Sequence, residues 1–125
     1  MSKKIYLDAF FDQYEDMLKQ CREVFPTDPD WPVYLTGLAV FRRTNPAIVA
    51  QMTWNYVAPY EELILKRDQA FFLERDFTKE ANGDTSIEQT IAKLTGMWGQ
   101  LTPHNQSILW DFITNITYLA KKCAA

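Results

Sequence analysis

Apolar residues spaced three and four positions apart are the feature that most restricts how this chain can fold. One stripe runs from Leu7 to Cys21 and another from Ile108 to Ala120. This spacing places the side chains on one face of an α-helix, which repeats about every 3.6 residues. Residues 71–75 could begin a strand, but no partner strand is visible. The pattern therefore predicts an all-α protein.

Prolines end the first predicted helix, which covers about residues 6–23. The segment 25–32, FPTDPDWP, holds three prolines in seven residues. Proline lacks a backbone N–H and pushes the residue before it out of the α region. Asp30 is a candidate cap for a second helix of about 31–43. The first helix should therefore stop at this segment, before the second helix begins.

Capping residues mark the other helix starts. Asn45-Pro46 and Thr102-Pro103 each combine a cap with proline at the first helical position, where the missing N–H costs nothing. The third helix should cover about 46–57, and a short fourth helix should begin at Tyr60. After Ser86 the fifth helix begins with a capping-box pattern that ends at Gln89.

The chain of 125 residues has the usual length of one domain and contains 47% apolar residues, enough for a single core. We expect one domain, residues 1–125, built as a bundle of five or six short helices. A flexible linker is expected at about 80–86, where Asn82-Gly83 is a turn dipeptide. The last two helices, within 87–122, are predicted to form an antiparallel hairpin.

The charges and the two ends of the chain exclude several classes of function. The net charge is −3, and no segment forms the basic stripe that binding to a phosphate backbone requires. The first residues do not have the pattern of a signal peptide, and no run of about 18 apolar residues occurs. Cys21 and Cys123 have no paired spacing, which is typical of reduced thiols. We therefore expect an intracellular protein with no membrane association, for which nucleic acid is a disfavoured partner.

No pattern of catalytic or cofactor-binding residues is present. The stretch 60–77, YEELILKRDQAFFLERDF, is rich in carboxylates, but the single histidine, His104, excludes a helical di-metal site with paired Glu-x-x-His motifs. Glu61 and Glu62 suit the first turn of a helix, and Glu62 could pair with Lys66 on a solvated face. Neither a phosphate-binding glycine loop nor a nucleophile elbow occurs. The sequence predicts no catalytic residue, no metal, no cofactor and no small-molecule substrate.

A surface poor in charge is the best candidate for a binding site. Between Ile87 and Ala120 only three residues are charged, which is typical of a bundle centre or of an interface. Trp110 lies off the apolar stripe of the last helix, so we expect it to form an outward face with its helical neighbours. The alternative is that this helix is central and that Trp110 is simply core. The predicted interface residues are Trp31, Gln106, Trp110, Thr114, Thr117 and Tyr118.

Three segments, FPTDPDWPVYLTGL, VAPYEELILKRDQAFFLERDF and LTGMWGQLTPHNQSILWDFITNITYLAKK, resemble small helical proteins encoded by nucleocytoplasmic large DNA viruses. In these proteins a block of the type VxPY…I…D…FFLxxDF is followed by a helical hairpin of the type L…W…L…N…IW.YI..L. The resemblance covers about residues 14–122. It implies a viral protein acting inside the infected cell, in the cytoplasm or nucleus, or in the virion. The resemblance does not assign a functional role to any residue of this chain.

The composition and the resemblance together favour a non-enzymatic protein. We expect a virion component or an assembly adaptor that binds another protein or a second copy of itself. A transcription or replication accessory factor that touches nucleic acid through an aromatic surface is the first alternative. A small metal- or nucleotide-dependent enzyme is the second.

Overall fold

The computed structural model describes residues 3–73 and 86–124. Every regular element in these two ranges is helical, which confirms the all-α prediction. The α-helices are α1 (Lys3–Val24), α2 (Asp30–Thr44), α3 (Pro46–Val57), α4 (Glu61–Leu65), α5 (Ala70–Leu73), α6 (Ser86–Met97) and α7 (Pro103–Ala124). Single 3-10 turns, Ala58–Tyr60 and Trp98–Gln100, follow α3 and α6. The predicted linker falls largely outside the described residues.

The apolar stripe of α1 is buried as its spacing predicts. Its buried residues are Phe10, Phe11, Tyr14, Met17, Leu18 and Cys21. Burying one large apolar side chain contributes about 1.5–3 kcal/mol, so this helix face is a main source of stability. The Tyr14 hydroxyl lies 3.1 Å from Thr90 Oγ1 of α6, and this hydrogen bond satisfies both groups inside the core.

The long helix α7 packs along both α1 and α3. The amide of Asn115 in α7 donates to Gln13 Oε1 of α1 at 3.1 Å, which places the middles of these two helices side by side. The prediction of a closing hairpin between α6 and α7 is not confirmed. The main neighbours of α7 come from the first half of the chain, and this makes α7 the central helix of the bundle.

The caps of the helices agree only partly with the sequence. Thr102 Oγ1 accepts the backbone N–H of Asn105 at 3.2 Å, as the predicted start of α7 requires. The predicted cap Asp30 is instead the first residue of α2, and Asp28 Oδ1 accepts its N–H at 3.0 Å. Asn45 makes no side-chain capping bond, so the start of α3 depends on Pro46 alone.

The segment after α4 is helical where the structure describes it. Residues 70–73 form the short helix α5, so the strand considered for residues 71–75 is not formed there. Asp68 Oδ1 accepts the N–H of Ala70 at 2.9 Å and begins this turn. Arg67, just before it, has a left-handed backbone with φ of 54°. Its guanidinium forms an ion pair with Asp111 of α7, which fixes this reversal of the chain against the central helix.

Candidate functional site

Trp110 lies in the core and not on an outward face. Only 4% of its surface is exposed, and its ring meets Trp98 edge-on with centroids 5.5 Å apart. Phe71 of α5 lies on another side at 6.4 Å. The prediction of Trp110 as an interface residue is therefore wrong. Because α7 is covered by several helices, it buries more than the single stripe that its sequence suggests.

Trp31 is also buried, although it follows a proline-rich loop. Its surface is fully covered, and it meets Tyr34 edge-on at 5.7 Å. The ammonium group of Lys93, from α6, lies 5.8 Å from the centre of its ring. Among the described residues, the indole Nε1 has no hydrogen-bond partner. Trp31 therefore anchors the start of α2 to α6, and its predicted interface role is wrong.

The remaining predicted interface residues do not form one surface. Thr117 is 2% exposed, which contradicts its predicted interface role, whereas Tyr118 is 53% exposed. Gln106 is half-buried and donates its amide to the carbonyl of Trp98 at 3.1 Å. Thr114 is half-buried too, and its enclosed hydroxyl has no hydrogen-bond partner in the described part of the chain. Of the six predicted residues, only Tyr118 could make extensive contact with a partner.

A different surface, on α2 and α3, is almost free of charge. Between Trp31 and Tyr60 the only charged residues are Arg42 and Arg43. Solvent-facing helix surfaces in soluble proteins usually carry charged and polar residues. Four large apolar side chains are exposed here, namely Val33 at 66%, Val40 at 43%, Ile48 at 55% and Met52 at 41%. We call these four residues, with the exposed residues between them, the α2–α3 surface.

On α2, the exposed residues form one continuous strip. The strip consists of Val33, Val40 and Thr44, which are exposed, together with Gly37, which is half-buried. These residues recur at spacings of three and four, on the side of the helix away from the buried Leu38. The Thr44 hydroxyl donates to the carbonyl of Val40 at 2.9 Å. Thr36, on the same face, donates to the carbonyl of Pro32 at 3.0 Å. Both hydroxyl protons are used inside the helix, so the strip presents few free hydrogen-bond donors to a partner.

On α3, the exposed strip continues without any charge. Ile48 and Met52 are one helical turn apart, and the exposed Gln51 and Asn55 beside them bond to each other at 2.9 Å. Ala50 and other buried residues of α3 face the core. Thr44 and Asn45, which connect α2 to α3, are both exposed.

Arg42 does not belong to this surface because α1 binds it. Its guanidinium contacts Glu15 at 3.1 Å and Asp12 at 3.0 Å, and it lies 5.5 Å from the centre of the Phe11 ring. This ion-pair cluster holds the end of α2 against α1. Arg43 is exposed, and within the described part of the chain it has no ion-pair partner. It is therefore the single charged group of the α2–α3 surface.

A concave region lies between the loop before α2 and helix α6. This cleft has a volume of about 710 Å³, and its lining includes Asp28 and Asp30 from the first of these segments and Lys93 from α6. The Lys93 ammonium lies 2.7 Å from a carboxylate oxygen of each aspartate. Each of the three side chains has an ion-pair partner within the cluster, and the cluster as a whole keeps one net negative charge. We interpret the cluster as a structural link between α2 and α6.

This link makes a prediction about acid unfolding. The hydrogen bond from Lys93, and then that from the Asp30 N–H, hold the pKa of Asp28 below its ordinary value of about 3.9. A lowered folded-state pKa contributes stability above the unfolded-state pKa, and that stability is lost as the pH falls through the folded-state value. We expect Asp28→Asn to lose less stability than the wild type between about pH 5 and pH 2. Urea unfolding at a series of pH values measures this slope.

The matched control for this experiment is Asp16→Asn, which changes an exposed carboxylate of α1. This variant should follow the wild-type slope. If Asp28→Asn and Asp16→Asn have the same dependence on pH, the ion pairs of Lys93 do not stabilise the fold.

The structure shows the surroundings of some of the carboxylates in segment 60–77. Glu62 and Lys66 are exposed, as predicted, but they do not pair with each other. Glu61 binds Lys121 of α7 at 3.0 Å instead. Glu74 and Asp76 lie outside the described residues. The charges of α4 therefore attach it to the central helix.

The other residues considered for chemistry are separated from one another. His104 is exposed at the start of α7. Cys21 is buried, and burial raises the pKa of its thiol to about 12, whereas Cys123 is half-buried and free. In residues 3–73 and 86–124, no three His, Cys, Asp or Glu side chains come together in a group that could hold a metal ion. Nor do the described helices include one with the length and hydropathy of a membrane span.

Comparison with known proteins returns no relative: no protein-family model, curated protein or solved structure matches the chain. The α2–α3 surface is therefore the feature from which a function can be argued. The sequence indicates this surface by its low charge, since the 30 residues from 31 to 60 include only two charged ones. None of the interface residues predicted from the sequence lies in residues 32–60.

Proposed function

We propose that the protein is a non-enzymatic interaction protein, a structural component or adaptor of a larger assembly. The observation that supports this is the uncharged α2–α3 surface with its four exposed apolar side chains. Leaving such side chains in water forgoes the free energy of burying them, about 25 cal/mol for each Å² of apolar surface. A partner protein that covers the surface gains this energy without removing charged groups from water.

The nature of the surface favours protein over nucleic acid as the partner. Binding to a phosphate backbone requires several Lys or Arg side chains that release counterions. The α2–α3 surface offers Arg43 only, since Arg42 is bound by Asp12 and Glu15. The resemblance to proteins of large DNA viruses is the reason for placing this assembly in the virion or the infected cell.

Site-specific photo-crosslinking in the cells that produce the protein tests this proposal. A benzophenone amino acid at Ile48 should give covalent adducts with another protein chain, because Ile48 lies on the α2–α3 surface and is 55% exposed. The same amino acid at His104, an exposed residue of α7, is the control and should give few adducts. Mass spectrometry identifies the adduct, and binding is then measured with the purified partner and an Ile48→Lys variant.

Three results would support the proposal together: adducts from Ile48, few from His104, and binding that Ile48→Lys weakens by at least about tenfold. Equal adducts from both positions, or none from Ile48, would contradict it. Circular dichroism and melting of Ile48→Lys should match the wild type, since substitutions of exposed residues usually change stability by less than about 0.5 kcal/mol.

A further inference from the structure

Two pairs of residues in α2, one of opposite charges and one of valines, are centred on the same point. The half-exposed Asp30 and the exposed Arg43, at the two ends of α2, are equally distant from the midpoint between Thr36 and Gly37. Val33 and Val40, the two exposed valines, are equally distant from the same point. When two copies of α2 run in opposite directions, the two members of each pair lie opposite each other, one on each helix.

We infer that α2 is the contact between two copies of this chain, which cross antiparallel about a twofold axis between Thr36 and Gly37. This inference rests on the proposed function and assigns a partner to one half of the α2–α3 surface. A twofold contact presents the same patch on both subunits. Val33 of one copy then packs against Val40 of the other, and Asp30 lies opposite Arg43.

Gly37 allows the two helices to approach closely. A Cβ atom added at this position would meet nothing within 4 Å, so the space beside it is open in the single chain. The groove there is lined by Pro32, Val33, Thr36 and Gly37. Packed helix axes lie about 8–10 Å apart, depending on the side chains at the contact, and a glycine at the crossing point permits the short end of this range.

The charges at the ends of α2 are complementary between the two copies. At the start of α2, the carboxylates of Asp28 and Asp30 share the single ammonium of Lys93, which leaves one negative charge in excess. The Asp30 side chain remains 47% exposed. Arg43, at the other end, has no ion-pair partner among the described residues. If the helices cross antiparallel, Arg43 of each copy lies near Asp30 of the other copy, at both ends of the contact. If they cross parallel, like charges lie together instead.

The contact is small, so the dimer should be weak. A stable complex usually buries about 800 Å² on each partner, and one helix of 15 residues supplies less than this. We expect a dissociation constant on the order of 10–100 μM. Sedimentation velocity of the purified chain, at concentrations from about 5 to 500 μM, should show the mass rising from 14.6 kDa toward twice that value.

Two glycine variants test the crossing point. Gly37→Gln should keep the chain monomeric over the whole range, because the new side chain occupies the space that the second helix needs. Gly96→Gln is the matched control, since Gly96 lies in α6, is exposed, and would also meet nothing within 4 Å. It should dimerise like the wild type. Both variants should melt no lower than the wild type, because Gln favours helix more than Gly does.

Charge reversal tests the direction of the helices. Arg43→Asp alone should weaken the dimer at least tenfold, and so should Asp30→Arg alone, while the double variant should recover most of the affinity. Asp28 keeps Lys93 in place in each variant. Parallel crossing predicts no recovery, so failure of the double variant overturns the inference.

If the chain stays monomeric up to about 500 μM, the inference that α2 binds a second copy is also wrong. In that case adducts from Ile48 with another protein would still support the proposed function. Absence of both self-association and adducts would remove the two proposals together.

Discussion

Replacing Trp110 with alanine is expected to lower the free energy of unfolding by about 3–5 kcal/mol, the usual cost of truncating a buried tryptophan. The ring is 4% exposed and lies between Trp98 and Phe71, so its loss leaves a cavity where α5, the turn Trp98–Gln100 and α7 meet. Rigid surroundings cannot fill such a space by a change of rotamer alone. Urea unfolding followed by circular dichroism measures the effect.

The control for Trp110 lies on the same helix. Tyr118→Ala removes an aromatic side chain of α7 that is 53% exposed, so it should cost less than about 1 kcal/mol. A small effect for Trp110→Ala, equal to that of Tyr118→Ala, would mean that the ring is not packed as the structure shows. The interface that the sequence suggested around Trp110 would then regain support.

Replacing Trp31 with alanine is expected to cost a similar amount, about 3–5 kcal/mol. The ring is fully buried and joins the start of α2 to Tyr34 and to Lys93 of α6. Its loss therefore removes apolar contacts and the contact between a cation and an aromatic ring, which is worth about 0.5–2 kcal/mol. Thermal and urea unfolding of the purified variant measure the change.

Trp31→Phe separates packing from hydrogen bonding. The indole Nε1 is buried and has no hydrogen-bond partner within residues 3–73 and 86–124. An unsatisfied buried donor costs about 1–3 kcal/mol. Phenylalanine removes this donor and keeps an aromatic ring, so it should destabilise the protein by much less than alanine does. If Trp31→Phe is as harmful as Trp31→Ala, then Nε1 has a partner, for example an ordered water molecule.

Much of the secondary structure follows from local signals. The stripe from Leu7 to Cys21 predicts α1, and Thr102-Pro103 predicts the start of α7. Local signals do not identify the capping residue where two residues close in sequence have the same side chain. Asp28 and Asp30 are both carboxylates near the start of α2, and only the geometry of the loop shows that Asp28 accepts the N–H of Asp30.

The candidate site was harder to predict than the helices. A tryptophan off the main stripe of a helix is exposed when the helix has one neighbour and buried when it has several. Trp110 belongs to the second case, because α7 packs along α1 and α3 and also meets α5. The spacing of residues within α7 does not contain this information. Conversely, the exposure of Val33 and Ile48 depends on which faces of α2 and α3 the other helices leave uncovered.

The sequence by itself determined the helical class, the apolar stripes and most of the helix ends, since these depend on periodicity, proline and capping groups within a few residues. It also determined that the segment 31–60 carries only two charges. The tertiary structure alone decided that α7 is central, that Trp31 and Trp110 are core, and that Val33, Val40, Ile48 and Met52 face outward. These properties depend on contacts between distant parts of the chain, because burial is set by the neighbours that pack against a helix face and not by the residues of that helix.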